Sequence, residues 1–465
     1  MALALVSSIA IAFWPVNKTE GLEFWTFSKN HGELYQQLSA DYNDQARTEG
    51  RLPVNVFVID LAASVRRTLS GFWSGTPLAD LIEVERRGMP SFVSGPIEDV
   101  GFVDLTDRLK SEEFSPGVSI YDSLNTPSFG PWSSRGRIFG LPHDVHPVML
   151  VYRSDLVDAA GIDVSTIETW DDFARVMAPL QTDLDGDGST DRWLINSWYT
   201  NPDVLETLTL QSGGGTFDAQ DNLLVGSEAN AMVIARIVEW SRGPGRIAVD
   251  APEFSASGNQ LRLEGKVIAS IMPDWLAGVW KRDLPQLSGK LKLMPLPAWE
   301  TGGRRTSVQG GTMIGIPKAT LEESEERFEE AWEVAKHLYL SEDLARKSFE
   351  ASNIISAVKT FWSKDFYHQP DAFFSGQQSG TKYLELAPDV PFRSSNPYHT
   401  LALIRIQEAA TQLEQRAEDE NLESREELMA AARELLALAE AEVLKEMSFN
   451  VFLTPSKSAG DDGDE

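Results

Sequence analysis

Short apolar runs and stretches with apolar residues every three or four positions take turns along the first 320 residues. Leu22–Phe27 reads as a strand, and residues 33–45 follow with Leu34, Leu38 and Tyr42 on one helical face. Val54–Val58 alternates like a second strand, Leu61–Phe72 is helical, and Leu78–Val84 reads as a third strand. Arg137–Pro142 and Val148–Tyr152 are extended. Thr169-Trp170-Asp171-Asp172 places a capping hydroxyl before two acids and predicts a helix running toward Leu180. Further on, the spacing predicts a helix over 228–240 and strands over 266–272, 291–297 and 310–316. Helices are expected over 323–340, 401–418 and 423–447. Strand–helix–strand alternation predicts an α/β fold with mostly parallel sheets flanked by helices, because parallel neighbours need crossover connections.

The two ends depart from this pattern. Met1 to Asn17 carries no charge, and Ala2 to Trp14 is almost wholly apolar. That run is short of the roughly 20 residues of a membrane span but fits the core of a signal peptide. Ala10-Ile11-Ala12 resembles a small-residue cleavage site, although the usual basic residues before the apolar core are missing. Residues 1–19 are therefore expected to be a signal or anchor segment, and the protein to be exported. A buried terminal helix or strand is the bland alternative. Residues 456–465 are polar and acidic, the composition of a disordered tail.

Charge narrows the partners. Asp and Glu number 70 against 41 Lys and Arg, a formal net charge of −29 over 465 residues. Such a surface repels phosphate backbones and anionic lipid, so nucleic-acid and membrane-surface binding are disfavoured. The absence of cysteine excludes disulfides, thiol catalysis and cysteine-ligated zinc. No P-loop, G-x-S-x-G or H-E-x-x-H pattern occurs.

Several local patterns, in order, resemble one family. Phe24-Trp25-Thr26-Phe27 with the helix behind it is similar to that family's first βα unit. Gly136-Arg137-Ile138-Phe139-Gly140-Leu141-Pro142-His143-Asp144-Val145, then Val151-Tyr152-Arg153-Ser154-Asp155-Leu156, resemble the stretch where its chain first crosses between lobes. Thr169-Trp170-Asp171-Asp172-Phe173, Glu264 to Ala269 leading into Asp274-Trp275, Met294-Pro295-Leu296-Pro297 and Gly310-Gly311 continue the series. The chain, over most of residues 20–450, resembles the extracellular solute-binding proteins of bacterial ABC importers, in the carbohydrate-binding family to which maltose-binding protein belongs. The resemblance implies a two-lobed periplasmic-binding-protein fold with the ligand in the cleft between lobes. One lobe would span 20–141 plus 297–350, the other 145–294 plus 355–450. It also implies capture of a sugar or oligosaccharide by lobe closure and delivery to membrane permease subunits, as a monomer, with no catalysis and no required cofactor. A glycoside-active enzyme and a ligand-sensing module for a membrane partner are the rival readings.

Sugars offer hydroxyls and flat C–H faces, so a site for them needs aromatic rings, carboxylates and amides. Of the 13 tryptophans, Trp170, Trp240 and Trp332 fall within helical patterns and read as core. Trp25 and Trp275 stand near strand ends, where ligands of open α/β sheets sit, and are candidates for the cleft together with Trp198 and Trp73. Glu83 and Glu85 share one strand face. Glu85, Asp144 and Asp274 are candidate acceptors for sugar hydroxyls, and Gly310-Gly311 would admit close backbone approach or form a turn. His143 and His146, three apart on an extended segment, are expected to point to opposite faces and not to share a metal ion. Asp183, Asp185, Asp187 and Asp191, with Gly186 between, match positions one, three, five and nine of a calcium loop. Position twelve is Leu194 rather than glutamate, so a weak structural Ca²⁺ site and a plain Asp/Gly turn both fit.

Overall fold

The computed structural model describes residues 20–196, 200–450 and Phe452; the leader, Trp198 and the acidic tail lie outside them. Ten strands form two five-stranded sheets: β1 (Leu22–Thr26), β2 (Val54–Val58), β3 (Leu81–Glu85), β4 (Leu141–Pro142), β5 (Val148–Arg153), β6 (Trp193–Asn196), β7 (Ala248–Val249), β8 (Val267–Pro273), β9 (Leu291–Pro295) and β10 (Thr312–Gly315). The first sheet has the order β2-β1-β3-β10-β4 and the second β7-β6-β8-β5-β9. The two share one plan. Three strands pair in parallel, and two strands are added antiparallel, β10 and β4 in one sheet, β5 and β9 in the other. The mostly parallel pairing expected from the sequence thus holds for only half of each sheet. The antiparallel strands enter where the chain passes from one sheet to the other, after β4 and after β9, and need no crossover helix.

The flanking helices used below are α1 (Lys29–Glu49), α2 (Leu61–Ser74), α3 (Trp170–Met177), α4 (Pro202–Gln211), α5 (Glu228–Ser241), α6 (Asp274–Asp283), α7 (Glu325–Tyr339), α8 (Glu342–Ser352), α9 (His399–Asp419) and α10 (Arg425–Ser448). Caps set several of them. Thr169 and Asp172 form a reciprocal capping box at α3, and Ser424 with Glu427 forms another at α10. The helix expected over 323–340 is α7, which starts two residues later than expected because the Ser324 hydroxyl caps it, after a separate short helix over Lys318–Glu323.

Both sheets are covered on both faces, so consecutive residues serve different cores. Leu22 and Phe24 face a cluster that runs from the first sheet into Met149, Val151 and Met272 of the second. Ile82 and Val84 face the opposite side with Met89 and Phe92. Val148, Leu150 and Tyr152 belong to a further cluster that includes residues of α5, α9 and α10. Trp170, Trp240 and Trp332 are buried, as their helical positions predict. Among the described residues no helix is long and apolar enough to cross a membrane.

Candidate functional site

A cavity of about 1220 Å³ opens between the two lobes. Residues just past the end of β1 form part of one wall: Phe27, Ser28 and, from the first turn of α1, Asn30 and His31. Glu85 and Arg87, at the end of β3, complete it. The facing wall holds Phe254, Trp275 and the next turn of α6, with Asn201 and Asp203 at the start of α4. His146 and Gln309-Gly310-Gly311-Thr312, from the segments between the sheets, make the floor, and α8 closes one side.

Trp275 is the second residue of α6, directly off the end of β8. Asp274 Oδ1 accepts its backbone N–H at 2.7 Å, and its indole Nε1 donates to the Gln309 carbonyl at 2.9 Å. The ring of Phe254 lies parallel to it, 6° between planes and 6.3 Å between centroids. Phe254 holds φ at +60°, an uncommon conformation for a bulky residue, and stays 65% exposed. Its loop is clamped from behind. The buried Arg262 pairs with Glu253 and donates to the Ala251 and Pro252 carbonyls, while Trp280 Nε1 donates to Glu253 at 3.1 Å. Burial raises the Glu253 carboxyl above its ordinary range against the pull of Arg262.

The floor requires glycine. Gly310 and Gly311 sit at φ +103° and +135°, and a Cβ on Gly310 would come within 2.9 Å of both His146 and the Trp275 indole.

Behind the floor runs a seam of buried charge. His146 places Nδ1 2.6 Å from Asp274 Oδ1 and Nε2 3.1 Å from Asp144 Oδ2. His143 Nδ1 lies 3.0 Å from the same Asp144 oxygen, to which Thr312 Oγ1 also donates. The other Asp274 oxygen accepts from the Ile355 amide. Burial alone would lower the His146 pKa, yet the two carboxylates raise it to about 10. Burial likewise opposes ionisation of Asp144, and the imidazoles override it, holding this carboxyl far below its usual range. Glu83 anchors a second buried cluster: Tyr35 and Tyr339 donate to Oε1 at 2.6 and 2.9 Å, His31 Nδ1 lies 3.0 Å from it, and Thr26 donates to Oε2. Desolvation pushes the Glu83 carboxyl up, but His31 and the hydroxyls bring it down to about 2.

Across the cavity's edge, Arg86 reaches from the end of β3 to α4, 2.5 Å from Asp203 and 2.7 Å from Glu206. This ion pair ties an element of the first sheet to a helix of the second core.

The residues singled out from sequence divide clearly. Glu85, Trp275, Gly310 and Gly311 line the cavity. Asp144 and Asp274 do not; both are buried in the seam, their oxygens taken up by histidines and amides. Trp25 is core, packed against Ile82, Val84 and Phe92, because it is one residue out of phase with Phe24 and faces the far side of the sheet. Trp73, at the end of α2, is 79% exposed and lies on a separate surface groove. Trp198 lies outside the described residues. His143 and His146 do not diverge as regular extended geometry predicts: His146 sits at φ +56°, and the turn brings both rings onto one carboxylate. In the Asp-rich loop, Asp183, Asp185 and Asp187 bring carboxylate oxygens within 4.8 Å of one another. Asp183 accepts the Gly186 and Gly188 amides at 2.6 and 2.8 Å, and Asp191 accepts the Leu184 amide. Leu194 points into the core, so the twelfth position supplies no ligand.

Phe27, His31, Arg87, Asp203, Phe254 and Gln309 were not foreseen. Asn201-Pro202-Asp203 does carry a helix-start signature, with Asn201 capping the Asp203 amide, and would have placed Asp203. Nothing in the pattern around Phe254 marks it.

The comparisons agree with this geometry. Over 304 residues the chain is 24% identical to an arabinooligosaccharide-binding protein of Halalkalibacterium halodurans, a match spanning 64% of each chain, a little under two thirds of that relative's length. Over 421 residues it is 23% identical to an arabinooligosaccharide-binding protein of Bacillus subtilis, spanning 84% of this chain and 87% of the relative. In fold it is similar to the sugar-binding protein MalE from Xanthomonas citri, with a TM-score of 0.70 at 18% identity, covering 92% and 98% of the two chains. The family model described as bacterial extracellular solute-binding protein matches residues 73–344, more than half of the sequence, and the chain belongs to that family.

Proposed function

We propose that this protein captures a neutral oligosaccharide outside the cytoplasmic membrane and delivers it to the permease subunits of an ABC importer. The carrying observation is the interlobe cavity, with the parallel Trp275 and Phe254 rings on one side and polar groups on the other. Aromatic faces take sugar C–H surfaces, and amides and carboxylates take the hydroxyls. At about 1220 Å³ the space exceeds the roughly 300–1,000 Å³ of ordinary small-ligand pockets, which favours several sugar units over one. Charges on the walls are largely spent on each other: Glu85 with Arg87, Asp203 with Arg86, Glu350 with Arg346 and Arg282 with Asp283. A neutral ligand suits such walls better than an anion. The arabinooligosaccharide-binding relatives support an oligosaccharide as the class. Binding works through differential contact: a guest touching both walls stabilises the closed arrangement over an open one. In this reading the protein is exported, acts as a monomer and catalyses nothing.

Calorimetric titration with arabino-, gluco- and galacto-oligosaccharides, run beside incubation with chromogenic glycosides, tests the reading. Saturable binding of an oligosaccharide without turnover is expected. Release of the chromophore, or no binding by any neutral oligosaccharide, overturns it.

A further inference from the structure

A side pocket of about 50 Å³ leaves the main cavity behind Phe254 and Trp275, whose rings line both spaces. Its volume equals a few of the roughly 10–15 Å³ needed to seat one water, too little for a sugar ring but enough for a short substituent. Its polar lining is specific. Asn201 Oδ1 is occupied by the Asp203 amide and Gln309 Oε1 by the Thr207 hydroxyl. Among the described residues the side-chain NH₂ groups of both are left without a protein acceptor, so each can donate to a guest oxygen. Asp203 and Glu253 add carboxylates to the same lining. Donors and acceptors side by side suit a hydroxyl, which does both; the two carboxylates disfavour an anionic guest. The mouth is held open by design of the chain: Phe254 keeps its left-handed conformation because Arg262 and Trp280 fix Glu253 and the carbonyls before it.

We propose that this pocket is a specificity subsite that takes the exocyclic hydroxymethyl arm of one sugar unit, whose ring rests against Trp275 and Phe254 at the mouth. The proposal rests on the oligosaccharide reading above. It selects hexose units, or arabinofuranose ends, over units that lack the arm or carry a carboxylate there.

Titrating the full chain with cellotriose, 1,5-α-arabinotriose, β-1,4-galactotriose, xylotriose and trigalacturonate tests it. At least one of the first three is expected to bind ten-fold or more tightly than xylotriose, which lacks the arm, and trigalacturonate, which replaces it. Asn201→Asp keeps a helix-capping oxygen but removes the donor, and should erase at least ten-fold of that advantage. Val204→Phe fills the pocket from a residue that does not line the main cavity, and should do the same while leaving xylotriose binding as it was. Xylotriose or trigalacturonate binding as tightly as the best hydroxymethyl-bearing trisaccharide overturns the subsite, as does wild-type discrimination in a folded Asn201→Asp protein. Binding of none of the five overturns the oligosaccharide reading itself, and the subsite with it.

Discussion

Asp274 and Trp275 are neighbours in sequence, yet they belong to two regions built on opposite principles. The seam behind the cavity, Asp144–His146–Asp274, is buried, and its groups are bonded to one another. The aromatic wall in front of it is part-exposed, and at Phe254 it is conformationally strained. A buried ion cluster is costly to assemble and more costly to break, because losing one member strands the others in a poor solvent. An exposed ring does little for the empty protein but buries much of its face when a guest arrives. The difference teaches that carboxylates near a binding cavity are not by that fact ligand groups. Those of the seam hold the segments between the sheets in place, and the proposed solute contacts fall on the wall.

The comparison breaks most visibly at His146. His146→Ala leaves Asp144 and Asp274 as facing buried carboxylates, and is expected to cost about 3–5 kcal/mol in urea unfolding. The pH dependence carries the same signature. Because the folded pKa, about 10, exceeds the unfolded value of 6.5, the stabilisation by His146 is fully present below pH 6.5 and is lost as pH rises through 10. A wild-type protein as stable at pH 10.5 as at pH 6 would show that the seam is not ionic.

The next effect runs the other way along the pH axis. Glu83 titrates near 2 when folded against 4.5 for the free side chain, so its stabilisation is present above pH 4.5 and disappears as pH falls toward 2. The shift corresponds to about 3 kcal/mol. Glu83→Gln should flatten the acid limb of the stability profile; an unchanged acid limb would put the acid sensitivity elsewhere.

At the wall the readout changes from stability to affinity. Trp275→Ala is expected to weaken oligosaccharide binding by about 30-fold, about 2 kcal/mol, as for a central aromatic anchor. If the substitution lowers unfolding stability as much as His146→Ala but leaves affinity intact, the division between seam and wall is wrong.

How far these regions were legible in advance follows from the range of the interactions that make them. Elements with one clear period stood out: Val54–Val58 is a strand as the alternation predicts, and the capping box at Thr169 opens a helix. The four-residue β6 escaped notice because it is too short to show a period, and α6 because it starts directly after the last residue of β8 with no punctuating loop. Glu85, Trp275 and the glycine pair could be placed from their positions at strand ends and turns. The seam could not. His146 meets Asp274 across 128 residues, and the meeting depends on a positive φ at His146 that nothing local announces. Trp25 failed for a simpler reason: in a sheet covered on both faces, nearness to a strand end does not by itself bring a side chain to the cavity, and on β1 it is Phe27, beyond the end, that lines it.

Trp73 gives the sharpest control, with the smallest expected effect. It is an exposed tryptophan like those a sugar site uses, but it stands outside both regions, on a groove of about 570 Å³ that shares no lining residue with the interlobe cavity. Its indole is 79% exposed, so truncation creates no cavity in a core and strands no buried polar group. Trp73→Ala is therefore expected to change unfolding stability by less than about 0.5 kcal/mol and oligosaccharide affinity not at all. Exposure alone would rank this residue above Trp275 as a binding platform; its position ranks it below. A loss of affinity in Trp73→Ala comparable to that in Trp275→Ala would mean that the solute, or a second copy of it, is bound at the surface groove, and that the cavity between the lobes is not the site that discriminates.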